Sequence, residues 1–209
     1  MCSVSVIEFF IEWSKPDDFV GKRVLEVGSK YVNGSVRPLI ERFFKPKEYI
    51  GVDAEPGKYV DLVLQAERLV EHFGEEAFDT VITTEMIEHV KDWRRVVNEL
   101  KIVLKKDGCL FLTTRSPGFK YHAHPVDFWR FTPSDMACIF CDFEIVTLVP
   151  DMFEPGVFVQ ARKPVSWKPA DLSSLEVYSM VQPVFSGKTS NVPNNQKLVS
   201  RVFRKLFHS

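Results

Sequence analysis

Residues 23–35 have the sequence Arg23-Val24-Leu25-Glu26-Val27-Gly28-Ser29-Lys30-Tyr31-Val32-Asn33-Gly34-Ser35, an apolar strand followed by two glycines and then by a helical pattern. The next apolar run, Tyr49-Ile50-Gly51-Val52-Asp53, ends in an acid. Open α/β sheets bind nucleosides at such strand-to-helix junctions, where an acid after the second strand accepts hydrogen bonds from the ribose hydroxyls. These stretches predict an α/β sheet with a nucleoside cofactor at its edge.

Strand-like and helix-like runs alternate from residue 23 to residue 162. This alternation is typical of a sheet covered by helices on both faces, so the expected fold is Rossmann-like, doubly wound and mostly parallel, with seven strands. The predicted strands are 24–27, 48–53, 60–64, 78–83, 108–114, 143–149 and 156–162. The last two flank a connection short enough for a hairpin, which predicts one antiparallel strand.

Three helices are predicted within this pattern. Residues 35–44 and 92–105 have apolar side chains at helical spacing on one face, with Asp92 as an N-cap of the second helix and a basic turn at 105–108 ending it. Residues 1–20 are predicted as an N-terminal helix, of which residues 1–13 are apolar but lack a basic start and contain two glutamates, Glu8 and Glu12. They therefore favour a short packing helix over a signal peptide.

The composition changes after residue 162, so the chain is divided into a domain at 1–162 and an extension at 163–209. The extension holds seven Lys/Arg against two Asp/Glu and several prolines, which predicts partly irregular structure. Residues 196–207 recover a helical period as a basic amphipathic helix. Packing on protein, within the chain or in a homodimer, is favoured for this helix over contact with an anionic membrane.

The composition also limits the class of partner. The formal charge is −1 and the first 162 residues are acidic, which gives no electrostatic case for a nucleic-acid groove. The four cysteines show no disulfide framework, so reduced thiols in a cytoplasmic protein are expected. No run approaches the roughly 20 apolar residues that a membrane-spanning helix needs.

The first junction lacks the three spaced glycines of a dinucleotide site, because Gly28 is followed by Ser29 and Lys30. This argues against a nicotinamide-dependent oxidoreductase. Glu26-x-Gly28 with Gly34 instead resembles the first motif of class I S-adenosylmethionine-dependent methyltransferases of the type 11-like group. Further stretches resemble later motifs of that family in the same order, namely Gln65-Ala66-Glu67, Phe78 to Val90 with its Glu88-His89 pair, and Leu104 to Leu110.

The resemblance covers residues 20–162 and implies S-adenosylmethionine as cofactor. Glu26 would receive the ammonium of the cofactor, the turn at Gly28 its carboxylate, and Asp53 its ribose. Gln65 stands where many relatives place an aspartate for the adenine amino group, and its amide oxygen can accept the same hydrogen bond more weakly. The implied cofactor-binding residues are Glu26, Gly28, Ser29, Gly34, Asp53, Ala54, Gln65, Ala66, Glu67, Thr84 and Glu85.

Residues 115–133 form a loop after the fifth predicted strand, and this loop is rich in histidine, charged and aromatic side chains. Its stretch His124-Pro125-Val126-Asp127-Phe128-Trp129-Arg130-Phe131 resembles a run found in a subset of these methyltransferases. Because the loop leaves the carboxyl end of a strand, it should face the ligand crevice. His124, His122 and His89 are the candidate proton acceptors, and Asp127, Trp129 and Arg130 are the candidate substrate-binding residues.

Two other interpretations of this loop stay open. Asp127 could pair with Arg130 while the aromatic residues pack as a lid over the core. His122, His124 and Asp127 have metal-ligand chemistry at close spacing, but no further His or Cys cluster completes a site, so no metal is expected.

The sequence therefore predicts methyl transfer from S-adenosylmethionine to an oxygen or nitrogen atom of a small-molecule, glycan or lipid-intermediate acceptor. No nucleic-acid partner is expected. The alternative is a non-catalytic methyltransferase-like protein that binds the cofactor or a partner without turnover.

Overall fold

The computed structural model describes residues 3–123 and 125–181. Among these residues a seven-stranded sheet has the order β3-β2-β1-β4-β5-β8-β7, and β6 and β9 form a separate two-stranded ribbon. The elements are α1 (Val4–Trp13), α2 (Pro16–Phe19), β1 (Arg23–Val27), α3 (Arg37–Phe43), β2 (Glu48–Asp53), β3 (Leu62–Val63), α4 (Leu69–Phe73), β4 (Phe78–Thr84), α5 (Trp93–Val103), β5 (Leu104–Arg115), β6 (Trp129–Arg130), α6 (Pro133–Ile139), β7 (Glu144–Pro150), β8 (Gly156–Arg162) and β9 (Tyr178–Ser179). Two 3-10 turns, Ala66–Arg68 and Ile87–His89, follow β3 and β4.

The strand directions confirm the predicted doubly wound sheet. Strands β3, β2, β1, β4 and β5 pair in parallel, whereas β8 is antiparallel to both β5 and β7, so one strand is reversed. The strand order reverses between β1 and β4, and ligands of open sheets bind at the carboxyl ends of strands beside such a point. The fold therefore places the ends of β1, β2, β4 and β5 around one crevice.

Helices cover both faces, because alternate residues of the central strands point to opposite sides. On one face Phe10 of α1 stacks on Phe111 of β5 with ring centroids 5.0 Å apart. On the other face Trp93 of α5 packs edge-on against Phe131 at 5.6 Å. Both clusters are buried, which confirms a packing helix near the N-terminus and the predicted helix that Asp92 caps. The segment predicted as one helix over 1–20 instead contains two, because the backbone is extended at Ser14 and Lys15 between α1 and α2.

Two predicted boundaries were wrong. Strand β3 contains two residues instead of five, and β5 starts at Leu104 directly after α5 instead of at residue 108. Leu104 pairs with Phe78, and the register then shifts before Thr80 pairs with Cys109, so an irregularity in the strand replaces the predicted turn at 105–108. Asp107, with φ of 60°, lies within that irregularity.

Residues 163–181 run over the face that carries α5. The buried Lys163 Nζ donates to the carbonyls of Lys101 and Leu104 at 2.9 and 2.6 Å, and Trp167 Nε1 donates to Asp142 at 2.9 Å. The segment ends in β9, which pairs antiparallel with β6 in the loop after β5. This part of the extension is mainly irregular, and the predicted helix at 196–207 lies outside the described residues.

Within the described ranges, none of the helices has the length and apolar character needed to cross a lipid bilayer.

Candidate active site

The turn after β1 requires glycine at position 28. Gly28 has φ of 82°, and a Cβ atom at this position would lie 2.7 Å from Cγ of Met86. The amides of Gly28 and Ser29 both donate to the carbonyl of Val52, at 2.9 and 3.1 Å, which fixes the turn against β2. Ser29 Oγ is buried without a hydrogen-bond partner. The turn thus allows a close backbone approach at Gly28.

Asp53 lies at the end of β2 and organises the neighbouring loops. Its Oδ2 accepts from the Lys30 amide at 3.0 Å, and its Oδ1 accepts from the Glu55 amide at 3.2 Å. A carboxylate has about four acceptor positions, so two can still receive ribose hydroxyls. The Lys30 ammonium pairs with Glu55 at 2.6 Å and joins the loops after β1 and β2.

Glu26 is buried in the middle of the sheet and accepts a hydrogen bond from the Tyr49 hydroxyl at 2.8 Å. Burial raises the pKa of this carboxyl to about 7, although the Tyr49 hydrogen bond and the charge of Arg37 lower it. Glu26 therefore changes its charge near neutral pH, where a cationic ligand group would favour the ionised form.

The other predicted cofactor residues occupy the same edge. Gln65 precedes the turn Ala66–Arg68 just after β3, and the short strand pairs with Asp53 through Val63. Ala54 and Gln65 are exposed, whereas Thr84 is buried at the end of β4. Gly34 lies in the loop before α3, three residues ahead of the observed helix start.

Glu85 follows β4 in a conformation rare for a side-chain-bearing residue, with φ of 52°. Its amide donates to the Thr113 carbonyl at 2.9 Å, and its carboxylate forms a buried ion pair with Arg115 at the end of β5. Burial, with repulsion from Glu88, raises the pKa of Glu85 to about 8 against the opposing charge of Arg115. Glu85, in this rare backbone conformation, and Arg115 therefore connect the ends of the two central strands.

Glu88, His89 and His122 form a cluster beside that pair, with one ligand-type atom of each lying within 4.8 Å of the others. The fully buried Glu88 accepts from Thr114 Oγ1 at 2.8 Å through one oxygen. His89 Nδ1 lies 2.8 Å from the Val126 carbonyl, and the two imidazole rings meet edge-on with centroids 4.8 Å apart. The structure thus brings together a motif of β4 and a loop that begins more than 25 residues later.

His122 is held by Asp127. Its amide donates to Asp127 Oδ2 at 2.9 Å, and its Nδ1 lies 2.9 Å from the same oxygen. Burial lowers the pKa of His122 despite the nearby Asp127 and Glu88 carboxylates, so the ring is mainly neutral at pH 7. A neutral imidazole with Nδ1 directed at a carboxylate leaves Nε2 free to accept a proton.

Asp127 and Arg130 form a buried pair, which confirms the structural interpretation of these two residues. Both guanidinium Nη atoms donate to the Asp127 carboxylate, one of them at 2.6 Å. Burial opposes ionisation of Asp127, but the Arg130 hydrogen bonds and the His122 amide outweigh it and lower the pKa. Trp129 donates from Nε1 to the Val90 carbonyl at 2.9 Å. These three predicted substrate-binding residues support the loop in the structure.

A cavity of about 250 Å³ lies beside the cluster, and Asn33, Glu85, Arg115, Phe119, His122 and Glu154 are among its lining residues. It joins the cofactor loop after β1 to the loop after β5. Asp127, Trp129 and Arg130 do not line it, and His124 lies outside the described residues.

Two functional candidates escaped the sequence analysis. Arg115 is buried between Glu85 and the carboxylates of Asp151 and Glu154, at 3.4 and 3.2 Å, with its guanidinium 4.2 Å from the Phe119 ring. Glu88 was noted only as the neighbour of His89. Arg115 is the last residue of β5, and Glu88 lies in the 3-10 turn that follows β4, so both stand at the carboxyl-terminal edge of the sheet, where ligands of open sheets bind.

The methyltransferase domain family model matches residues 5–143, which is most of the sheet and both central strand ends. The chain therefore belongs to the methyltransferase domain family. This confirms the predicted class I fold and S-adenosylmethionine as the cofactor.

Individual relatives are distant. (S)-coclaurine N-methyltransferase of Thalictrum flavum subsp. glaucum is 25% identical over 108 residues, which is 51% of this chain but 30% of that relative. An S-adenosylmethionine-dependent methyltransferase from Mesorhizobium loti superposes with a TM-score of 0.55 at 15% identity, covering 77% of this chain and 98% of that one. The 1,6-didemethyltoxoflavin-N1-methyltransferase of Burkholderia thailandensis, with its substrate and S-adenosylhomocysteine bound, gives 0.54 at 14% identity over 69% and 72% of the two chains.

The residues of this chain fit that cofactor. The side-chain-free turn at Gly28, the unpartnered hydroxyl of Ser29 and the carboxylate of Asp53 lie on the successive ends of β1 and β2. They would contact its amino acid end and its ribose. Glu26, near the end of β1, can ionise and so balance the charge of a cationic group.

Proposed function

We propose that the protein transfers the methyl group of S-adenosylmethionine to an oxygen or nitrogen atom of a small-molecule or glycan/lipid-intermediate acceptor. The observation that supports this most is the cluster of Glu88, His89 and His122, which stands beside the cavity at the ends of the two central strands. An acceptor atom in that cavity would lie between the cofactor loop and the cluster.

The bound cofactor supplies a methyl group already activated on sulfur, so the chain needs mainly to align the acceptor and exclude water. The acceptor atom forms a bond to the methyl carbon while the carbon–sulfur bond breaks, and sulfur keeps that electron pair. A hydroxyl or ammonium acceptor must also lose a proton.

His122 is the best-placed proton acceptor in the described part of the chain. Its ring is neutral because burial lowers its pKa, and its Nε2 lies 3.9 Å from Glu88 Oε1 in the cluster. His89 Nε2 is also buried without a partner and is the second candidate. His124 remains a candidate from the sequence alone.

Small acceptors are favoured by the size of the cavity and the absence of an overall basic charge. The N-methyltransferase relative supports a nitrogen acceptor. Localisation in the cytoplasm and the division at residue 162 belong to the same proposal.

The test combines cofactor binding with methyl transfer. Calorimetry should show that the full-length protein binds S-adenosylhomocysteine, and that Asp53→Ala weakens binding by about 10- to 150-fold, because hydrogen bonds to a charged group contribute about 1.5–3 kcal/mol. Glu71→Ala, which removes an exposed carboxylate on α4 away from the cofactor loops, is the control and should leave the affinity unchanged.

Transfer is then measured with S-adenosylmethionine labelled in the methyl group and a panel of phenols, alcohols and amines. His122→Ala should keep S-adenosylhomocysteine binding but lower transfer by about 10²- to 10⁴-fold, the usual contribution of a general base. Cofactor binding with no transfer to any acceptor class would instead support a non-catalytic binding protein.

A further inference from the structure

Three buried polar atoms in the cluster face one another without a hydrogen-bond partner. They are Glu88 Oε1, His89 Nε2 and His122 Nε2. Glu88 is fully buried, and its Oε1 lies 3.9 Å from His122 Nε2. Buried polar atoms normally form hydrogen bonds with protein or water. Three unpaired atoms directed at one point therefore indicate that a ligand binds there.

The opposite atom of two of these side chains is held by a hydrogen bond. Glu88 Oε2 accepts from Thr114 Oγ1, and His89 Nδ1 lies 2.8 Å from the Val126 carbonyl, which places a proton on that nitrogen and directs the His89 Nε2 lone pair at the common point. Metal-binding histidines are held in this way, with the second nitrogen donating to an oxygen. His122 Nδ1 lies 2.9 Å from Asp127 Oδ2 as an ion-pair contact, without the geometry of a hydrogen bond.

We infer that Glu88, His89 and His122 bind a divalent transition-metal ion. Two imidazole nitrogens and one carboxylate oxygen are the protein ligands of many Zn²⁺, Mn²⁺ and Fe²⁺ sites with open coordination positions. The ligand atoms lie within 4.8 Å of one another. Around an ion with bonds of about 2.0–2.2 Å they would stand about 3–4 Å apart. Binding an ion therefore requires the longest of these separations to shorten by up to about 1 Å, whereas Glu88 Oε1 and His122 Nε2, 3.9 Å apart, already lie within that range.

The sequence predicts no metal site because His122, His124 and Asp127 have no further His or Cys cluster near them to complete one. Asp127 is instead saturated by Arg130 and supports His122 from behind. The missing ligands come from the 3-10 turn after β4, which is more than 30 residues away in the sequence.

The role of the ion, though not its binding, rests on the proposed function. Three protein ligands leave a position open toward the cavity, where an acceptor oxygen could bind. A divalent ion lowers the pKa of a hydroxyl that it binds, so the acceptor would release its proton to solvent and His122 would bind metal instead of taking that proton.

Binding of Mn²⁺ to the chelator-treated full-length protein tests the site. Mn²⁺ is the first probe because it disfavours the thiolates of Cys138 and Cys141, which could hold Zn²⁺. Loss of the free-ion signal in electron paramagnetic resonance should show one equivalent bound, and pulsed spectra should show ¹⁴N couplings from imidazole. Mg²⁺ should compete poorly because it prefers oxygen ligands.

His122→Ala and Glu88→Gln should each weaken Mn²⁺ binding by at least about ten-fold. His72→Ala removes an exposed histidine on α4 and is the matched control, with unchanged binding expected. Each variant is first shown to bind S-adenosylhomocysteine, so that loss of the fold is not mistaken for loss of a ligand.

Absence of Mn²⁺ binding in the parent, or equal binding in parent and His122→Ala, would overturn this inference. Binding of S-adenosylhomocysteine and methyl transfer in metal-free protein would leave the proposed function standing with His122 as a direct proton acceptor. Failure to bind S-adenosylhomocysteine would count against the proposed function, whatever the metal result.

Discussion

The buried carboxyl of Glu26 should make the stability of the protein depend on pH. Its pKa is raised from 4.5 to about 7 by burial. Between these values the folded state retains a proton that the unfolded state loses, so the favourable contribution is complete below pH 4.5 and is lost as the pH rises through 7. At about 1.4 kcal/mol for each tenfold change in proton affinity, the loss amounts to about 3 kcal/mol.

Glu26→Gln removes this titration and keeps an oxygen that can accept from the Tyr49 hydroxyl. Urea unfolding without cofactor, followed by tryptophan fluorescence at pH 5, 6, 7 and 8, gives the free energy of unfolding of both proteins. The difference between parent and variant should fall by about 2.5 kcal/mol between pH 5 and 8.

Tyr49→Phe provides a directional control for the same reasoning. The Tyr49 hydrogen bond lowers the pKa of Glu26, so its removal should raise that pKa and move the pH-dependent range upward. Parallel stability curves for the parent and Glu26→Gln from pH 5 to 8 would refute the assignment of a raised pKa to Glu26.

Two further predictions concern packing. Gly28→Ala should abolish binding of S-adenosylhomocysteine and lower the free energy of unfolding by about 1–3 kcal/mol more than Gly74→Ala, because both glycines have φ near 80° but only the first would place a Cβ against Met86; equal effects of the two variants by urea unfolding would contradict it. Asp142→Ala should lower the free energy of unfolding by about 3–5 kcal/mol. The buried Lys101 ammonium, which lies 2.6 Å from the Asp142 carboxylate, would then have no ion-pair partner. Glu71→Ala removes an exposed partner of Arg68 and should leave the urea midpoint in place, so an equally small effect in Asp142→Ala would count against a contribution of the buried pair.

The sequence predicted the sheet and its cofactor edge because both depend on local pattern. Apolar runs with short connections marked the strands, and an acid or glycine at the end of a run marked Glu26, Gly28 and Asp53. In a parallel sheet these ends meet at one edge, so assigning the strands also placed the residues.

The acceptor side could not be derived in the same way. The described residues between 116 and 128, which are 116–123 and 125–128, contain no helix or strand, so no periodicity indicated which side chains would meet the turn after β4. The pairing of Glu85 with Arg115 depends on side chains from two strands that are adjacent only after folding. The two-residue strands β3, β6 and β9 are too short to show a period, which explains the wrong length of β3 and the absence of β6 and β9 from the prediction.

The pairing of β9 with β6 means that different parts of the chain support the cofactor edge and the loop after β5. The residues placed at the cofactor all precede residue 90, whereas the loop after β5 is held at Trp129 and Arg130 by residues 178 and 179. The amide of Met180 also donates to the Phe128 carbonyl at 2.7 Å, next to the residues that hold His122. On the proposed function, exchanging residues 163–181 between relatives would change the support of the acceptor loop and leave the cofactor-binding residues in place. This segment is therefore a suitable site for engineering a new acceptor specificity.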